Sequence, residues 1–115
     1  VTFAGNVTAY SDERLKTEIK TIENPLDTIS KLRGVTFKWK ESGDDSMGVI
    51  AQEVEAIAET KCLVSETPED GNGDINPKNV AYGNMVGLLI EGMKEQQTVI
   101  NRLVQDIKDL KDKIK

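Results

Sequence analysis

Residues 86–115 read VGLLIEGMKEQQTVINRLVQDIKDLKDKIK, a stretch without proline in which apolar side chains return every three or four positions. With heptad position a at Val86, Met93, Ile100, Ile107 and Ile114, position d falls on Leu89, Gln96, Leu103 and Leu110, so eight of nine seam positions are apolar. A seam sustained this far predicts a helix built to meet another helix. Some thirty residues at 1.5 Å each extend roughly 45 Å, more than a small domain needs to close its own core. Lys108, Lys111, Lys113 and Lys115 lie where the negative end of the helix dipole favours cations. An amphipathic helix packed only on its own domain accounts less well for a seam that runs to the last residues. Isoleucine at a with leucine at d is the pattern of parallel dimers, whereas Val99 and Val104 widen the apolar face and Gln96 interrupts it. Dimer and trimer both fit the heptads.

Upstream, short helical and extended signals alternate. Asn24 caps well and Pro25 suits a first helical position, and Leu26, Ile29 and Leu32 follow at helical spacing, which predicts a helix over residues 25–33 stopped by Gly34. Val35, Phe37 and Trp39 alternate with polar neighbours, predicting a half-buried strand over 35–40 that the turn-rich residues 41–46 end. Residues 47–51 suit a buried strand, 52–59 a helix with Val54, Ile57 and Ala58 on one side, 63–65 another strand, and 67–77 a loop. Residues 11–23 fit a helix through Leu15, Ile19 and Ile22, or a strand through Thr17, Ile19, Thr21 and Ile22, equally well. Residues 1–10 suggest short extended pieces around Gly5 and Asn6. The fold class is therefore α+β: a small mixed helix and strand domain over 11–85 and a long coiled-coil helix over 86–115, with 1–10 set apart.

A chain of 115 residues supports one compact core with an appendage. Aromatics are only 4% of residues and Trp39 is the sole tryptophan, so isoleucine, leucine, valine and methionine must carry a modest core. The net charge of -5 argues against nucleic acid as a partner, since phosphate recognition needs surplus Lys and Arg. Ten carboxylates between residues 41 and 74 face Lys61 alone, which reads as a solvated acidic face or a surface that steers a basic partner. Cys62 is the single cysteine, so there is no intrachain disulfide and a reducing compartment fits. No apolar run approaches a membrane span, and residues 1–10 lack the basic start and apolar middle of a signal peptide. A first residue of Val1 rather than methionine reads as a fragment or a processed product.

Histidine is absent, which removes Ser-His and Cys-His nucleophile pairs and most transition-metal sites. Asp70, Asn72 and Asp74 resemble the start of a calcium loop, but the required glycine is Ile75 and the closing glutamate is Ala81, so no metal or cofactor is expected. No pair of carboxylates stands out for glycoside hydrolysis. The surviving candidate is Ser11-Asp12-Glu13-Arg14-Leu15-Lys16, because a lysine that desolvation keeps neutral can take the proton of a serine hydroxyl. Five residues of straight helix turn through about 500°, so Ser11 and Lys16 meet only across a turn or bend. A helix cap at Ser11 or Asp12 is the plainer account of the same residues.

The segment Ser11-Asp12-Glu13-Arg14-Leu15-Lys16, followed by Ile19, by Asn24-Pro25-Leu26, by Phe37-Lys38-Trp39 and by Met47-Gly48-Val49-Ile50-Ala51-Gln52-Glu53-Val54, resembles the peptidase S74 family. These are the intramolecular chaperones of endosialidase tail spikes, phage tail fibres and neck appendages, with a related domain in myelin regulatory factor. The likeness runs over residues 7–97 in family order, including Val80, Tyr82 and Leu88-Leu89-Ile90-Glu91. It implies that Ser11 attacks the carbonyl of Tyr10 with Lys16 as general base, that the Tyr10–Ser11 bond breaks, and that Asp12 and Arg14 shape the turn. It further implies a homotrimer that aligns an upstream fibre or spike chain, its substrate in cis and its folding client, and then leaves it. Residues 1–10 would be the end of the fibre shaft, in a virion precursor assembled in the host bacterial cytoplasm. A trimeric fibre tip that stays attached, does not cut and binds a receptor is the competing reading.

Overall fold

A computed structural model of the chain describes residues 8–67 and 77–114. The expectations for residues 1–7, most of the loop predicted at 67–77 and the calcium-like residues Asp70 to Asp74 lie outside the described residues.

Among the described residues, three α-helices and two small antiparallel sheets are mixed along the chain: α1 (Pro25–Lys31), β1 (Val35–Lys38), β2 (Asp45–Gly48), α2 (Ala51–Glu55), β3 (Val64–Glu66), β4 (Lys78–Val80) and α3 (Met85–Ile114). This is the α+β class expected, with the long C-terminal helix in place. Among the described residues the buried apolar side chains are few: Val54, Ile57, Met85 and Leu88, with Thr28 and Thr60 beside them. Thr60 satisfies its hydroxyl by donating to the carbonyl of Val54 at 2.9 Å, so its burial leaves no orphaned donor.

Helix α1 lies against the first turns of α3. Gly92 makes the close approach possible, because a Cβ there would overlap Ile29 Cδ1. Asn24 does not cap α1: its backbone is left-handed (φ 50°) and its side chain makes no cap bond. Glu95 of α3 serves instead, its Oε2 accepting from the Leu26 amide at 3.2 Å and placing an anion at the positive end of α1. The helix stops at Lys31, short of Gly34, because Leu32 turns extended (φ -85°, ψ 156°).

Strands β1 and β2 form a hairpin with Thr36 opposite Met47 and Lys38 opposite Asp45. The loop closes through Gly43 N to Trp39 O (2.8 Å) and Trp39 N to Asp44 O (3.0 Å), with Gly43 at φ 76°, a conformation glycine adopts without strain. That short loop starts β2 at residue 45, not 47, so Met47 is 75% exposed rather than buried. Val49 and Ile50 then lead into α2. Helix α2 ends at Glu55, earlier than expected, because i to i+3 bonds such as Ile57 N to Val54 O (3.3 Å) tighten the chain into turns. β4 was not legible as a strand; it pairs with β3 through Val64 opposite Val80. Residues 11–23 settle as neither long helix nor strand, only a 3-10 turn at Glu13–Leu15.

Helix α3 is unbroken for 30 residues. Its first turns carry the core residues Met85 and Leu88, while its seam stays open: Val86, Leu89, Met93, Ile100, Leu103, Ile107, Leu110 and Ile114 are all exposed.

Candidate active site

Asp12 organises the segment from Ser11 to Lys16. Its backbone is extended (φ -65°, ψ 131°), and its carboxylate accepts from the Arg14 amide at 2.8 Å, capping the turn that follows. The Arg14 side chain closes on the same carboxylate, with Nε 3.1 Å from Oδ1 and Nη2 2.8 Å from Oδ2. These two hydrogen bonds hold the Asp12 carboxyl below the usual carboxylate range and hold the guanidinium more firmly charged. Leu15 N to Asp12 O and Lys16 N to Glu13 O, both 3.0 Å, complete the turn.

Lys16 leaves that turn extended (φ -120°, ψ 151°), and its side chain runs back so that Nζ donates to Ser11 Oγ at 2.9 Å. The two residues therefore meet across a turn, the arrangement a straight helix forbids. Asp12 rather than Ser11 provides the cap, which leaves the serine hydroxyl to the lysine. Glu18 then takes a left-handed backbone (φ 53°), uncommon for a glutamate, which bends the chain away. Tyr10, whose carbonyl precedes Ser11, is 93% exposed, and residues 8–24 carry no buried side chain.

Other polar contacts fasten the surrounding elements. Arg33 forks onto Glu53 at 3.0 and 2.5 Å, joining the end of α1 to α2 and lowering the Glu53 carboxyl. Lys78 of β4 reaches both Glu55 oxygens at 2.8 Å and Glu66 at 3.4 Å, which raises its ammonium above the ordinary lysine value. Tyr82 Oη accepts from the Val49 amide at 3.2 Å, tying the approach to α3 to the start of α2. Sequence reading missed the roles of Glu95 and Lys78, since the partner of each lies far along the chain; the motif containing Tyr82 was visible without its purpose. A groove lined by Phe37, Trp39, Ile50, Asn79 and Tyr82 contains neither Ser11 nor Lys16. No helix among the described residues is long and apolar enough to cross a membrane.

Residues 11–63 match the Peptidase S74 family, described as a chaperone of endosialidase. The chain is 32% identical over 121 residues to the long tail fiber protein Gp37 of Salmonella phage S16, an alignment covering 98% of this chain and 16% of that protein. It is 33% identical over 105 residues to the proteins of the same name in Enterobacteria phages K3 and T2, covering 87% of this chain and 8% of each relative. The chain thus spans about a sixth or less of the length of these curated relatives.

Proposed function

The chain belongs, over residues 11–63, to the Peptidase S74 family of endosialidase chaperones, and on that premise we propose that it is an assembly chaperone of a phage tail fibre that cuts itself free. It works as a homotrimer on an upstream fibre chain, its client and its substrate in cis, and residues 1–10 end the shaft of that virion precursor in the host bacterial cytoplasm. The observation that carries the catalytic part is Lys16 Nζ at 2.9 Å from Ser11 Oγ, in a chain without histidine.

The chemistry follows from the position of the nucleophile. Ser11 Oγ attacks the carbonyl carbon immediately before it, so Tyr10 C, Ser11 N, Cα, Cβ and Oγ close a five-membered ring. Lys16 takes the hydroxyl proton and returns it to Ser11 N as the carbon–nitrogen bond breaks, leaving Tyr10 as an ester on Oγ. Water, deprotonated by the same amine, cleaves that ester; the products are a Tyr10 carboxylate and a chain beginning at Ser11. A protonated lysine can only donate, so the first step needs the neutral amine, a form that loss of surrounding water favours. The Asp12–Arg14 pair exchanges no proton and keeps the turn closed.

The open seam of α3 supports the homotrimer. Among the described residues nothing covers the side chains at a and d, and Ile90 and Val104 at the flanking e positions, 51% and 46% exposed, widen the face beyond the narrow stripe of a dimer. Holding three chain ends together raises their effective concentration for slow, long-range strand pairing. Cleavage then removes the route back.

The exposure of Ser11 and Lys16 in one chain is what favours the competing reading, a fibre tip that stays attached and uncut. Intact mass separates the two. A precursor extended by shaft sequence should yield a fragment beginning at Ser11, and the Ser11→Ala and Lys16→Ala variants should stay whole. Full-length wild type would retire the catalytic claim, and normal cleavage by Lys16→Ala would remove its base.

A further inference from the structure

Three polar side chains of α3 lie along the seam that the homotrimer reading uses, and each is left without a partner among the described residues. Gln96 is the polar member of the nine a and d positions, and it is exposed. The helix spends its other glutamines on itself, Gln97 on Asn101 at 2.9 Å and Gln105 on Asp109 at 3.0 Å, whereas no hydrogen bond holds Gln96 among the described residues. Asp106 and Lys111, at flanking g and e positions, are likewise exposed and make no ion pair among the described residues. Within one straight helix these two point apart, since five residues turn through about 500°. Between neighbouring parallel helices a g side chain lies beside the e side chain of the following heptad, and Asp106 and Lys111 stand in that relation.

We infer that Gln96, Asp106 and Lys111 set the orientation and register in which copies of this chain meet: parallel and level, with the Gln96 amides gathered in one layer and Asp106 of each copy beside Lys111 of the next. This rests on the homotrimer reading and adds what aligns its members. The level arrangement matches the flanking positions in kind, Val99 with Val104 and Asp106 with Lys111, and lets the gathered amides bond one another. Displacing one helix by a heptad sets Gln96 among Leu89 or Leu103, which cannot bond it; Asp106 then meets Val104 while Lys113 meets Lys111, or, displaced the other way, Val99 meets Lys111. Full antiparallel overlap sets Gln96 against Ile107, Ile90 against Lys111 and Val99 against Asp106. Each alternative puts a polar or charged group against apolar side chains without a partner, which is how one polar seam residue selects a single arrangement. A slip of one heptad would move a chain end by about 10 Å, about three residues of extended strand, so the same three residues keep the upstream chains in step.

The test uses the full chain in a Cys62→Ser background, which removes the exposed native thiol, with Ile107→Cys in the seam as reporter. Level parallel helices bring the introduced sulfurs of two copies within disulfide reach, whereas a one-heptad slip parts them by about 10 Å and antiparallel pairing by more. Oxidised where sedimentation velocity shows assembly, the reporter chain should cross-link between copies; assembled chains that do not cross-link overturn the proposal. Adding Gln96→Leu should leave association as tight or tighter and lower the cross-link yield, because displaced registers then compete; an unchanged yield overturns the role of Gln96. In the chain without the reporter, Asp106→Lys should weaken association by about tenfold, as like charges replace opposite ones at each contact. Adding Lys111→Asp restores the pair with its signs exchanged and should recover the loss; no recovery overturns the pair. A chain that stays monomeric at every concentration overturns the homotrimer reading and this one with it, whereas assembly without a preferred register overturns this one alone.

Discussion

Gly92 is where α1 and α3 come closest, and alanine there sets two effects of known size against each other. A glycine within a helix costs about 1 kcal/mol relative to alanine, so Gly92→Ala gains that much from the backbone. The new Cβ, however, overlaps Ile29 Cδ1, while its next neighbours, Leu26 Cδ2 at 3.8 Å and Ile29 Cγ1 at 3.9 Å, are ordinary contacts. Overpacking of this kind costs about 1–3 kcal/mol. The substitution alone should therefore destabilise, by about 1 kcal/mol once the two terms are combined. Ile29→Val deletes the offending atom and by itself costs about 1 kcal/mol. In the Ile29→Val background the overlap is gone and Gly92→Ala should stabilise by about 1 kcal/mol, so the double-mutant cycle has a coupling of about 2 kcal/mol and a change of sign. Urea unfolding of the four proteins at one chain concentration measures it, since association alters apparent stability. Equal effects of Gly92→Ala in both backgrounds would show that Ile29 does not sit over that glycine.

Asp12→Ala removes the cap of the turn and should slow cleavage more than Asp12→Asn, which keeps an acceptor for the Arg14 amide; equal rates by intact mass would deny the turn its role. Glu53 is held below the usual carboxylate range by Arg33, so its folded-state value lies under its unfolded one. Its small contribution to stability is present above that range and is lost as pH falls through the lowered folded value. The advantage of wild type over Glu53→Gln in urea should thus vanish in acid, and an advantage that persists there contradicts the pairing. Ile107→Ser and Leu110→Ser on the distal half of α3 should leave unfolding of dilute single chains unchanged and weaken association by about 1.5–3 kcal/mol per copy. Sedimentation equilibrium reads the second effect, and unaltered association would mean the seam is not the interface. Glu18→Gly relieves a left-handed glutamate and should be neutral or stabilising in the same urea assay; a clear loss would point to a bond made by the Glu18 side chain.

What could be read in advance was set by local chemistry. The continuous helix of α3 and the Pro25 start of α1 depend on neighbours a few residues apart, and both stand where the pattern put them; β1 begins at Val35 as its alternation indicates but ends at Lys38, before residue 40, and Trp39, expected on its half-buried face, is 57% exposed because the chain turns there into the hairpin loop. β2 was misplaced because its register belongs to the hairpin: the loop from Trp39 to Asp44 decides where pairing begins, and the apolar residues after it invite a later start. β4 went unseen because Lys78, Asn79 and Val80 have no strand signature and are extended through pairing with β3. Asn24 failed as a cap because the amide it was expected to serve is taken by Glu95, 69 positions from Leu26. For the candidate site, local spacing showed that Ser11 and Lys16 need a turn, and Asp12 with Arg14 supplies it. The absence of any cover on that turn was not legible, since a string of residues does not state how much of itself it can bury.

The far half of α3 has a consequence for timing. From Ile100 onward every described residue is exposed, so about 20 Å of helix stands clear of the core. A helix of that length is marginal in water by itself. In a solitary chain its last turns must therefore open and close rapidly, and they become persistent only when neighbours arrive to bury the seam. On the homotrimer reading proposed above, the arm works as a coincidence detector: order at one end of the molecule records that other copies are present together, and it dissolves when they part.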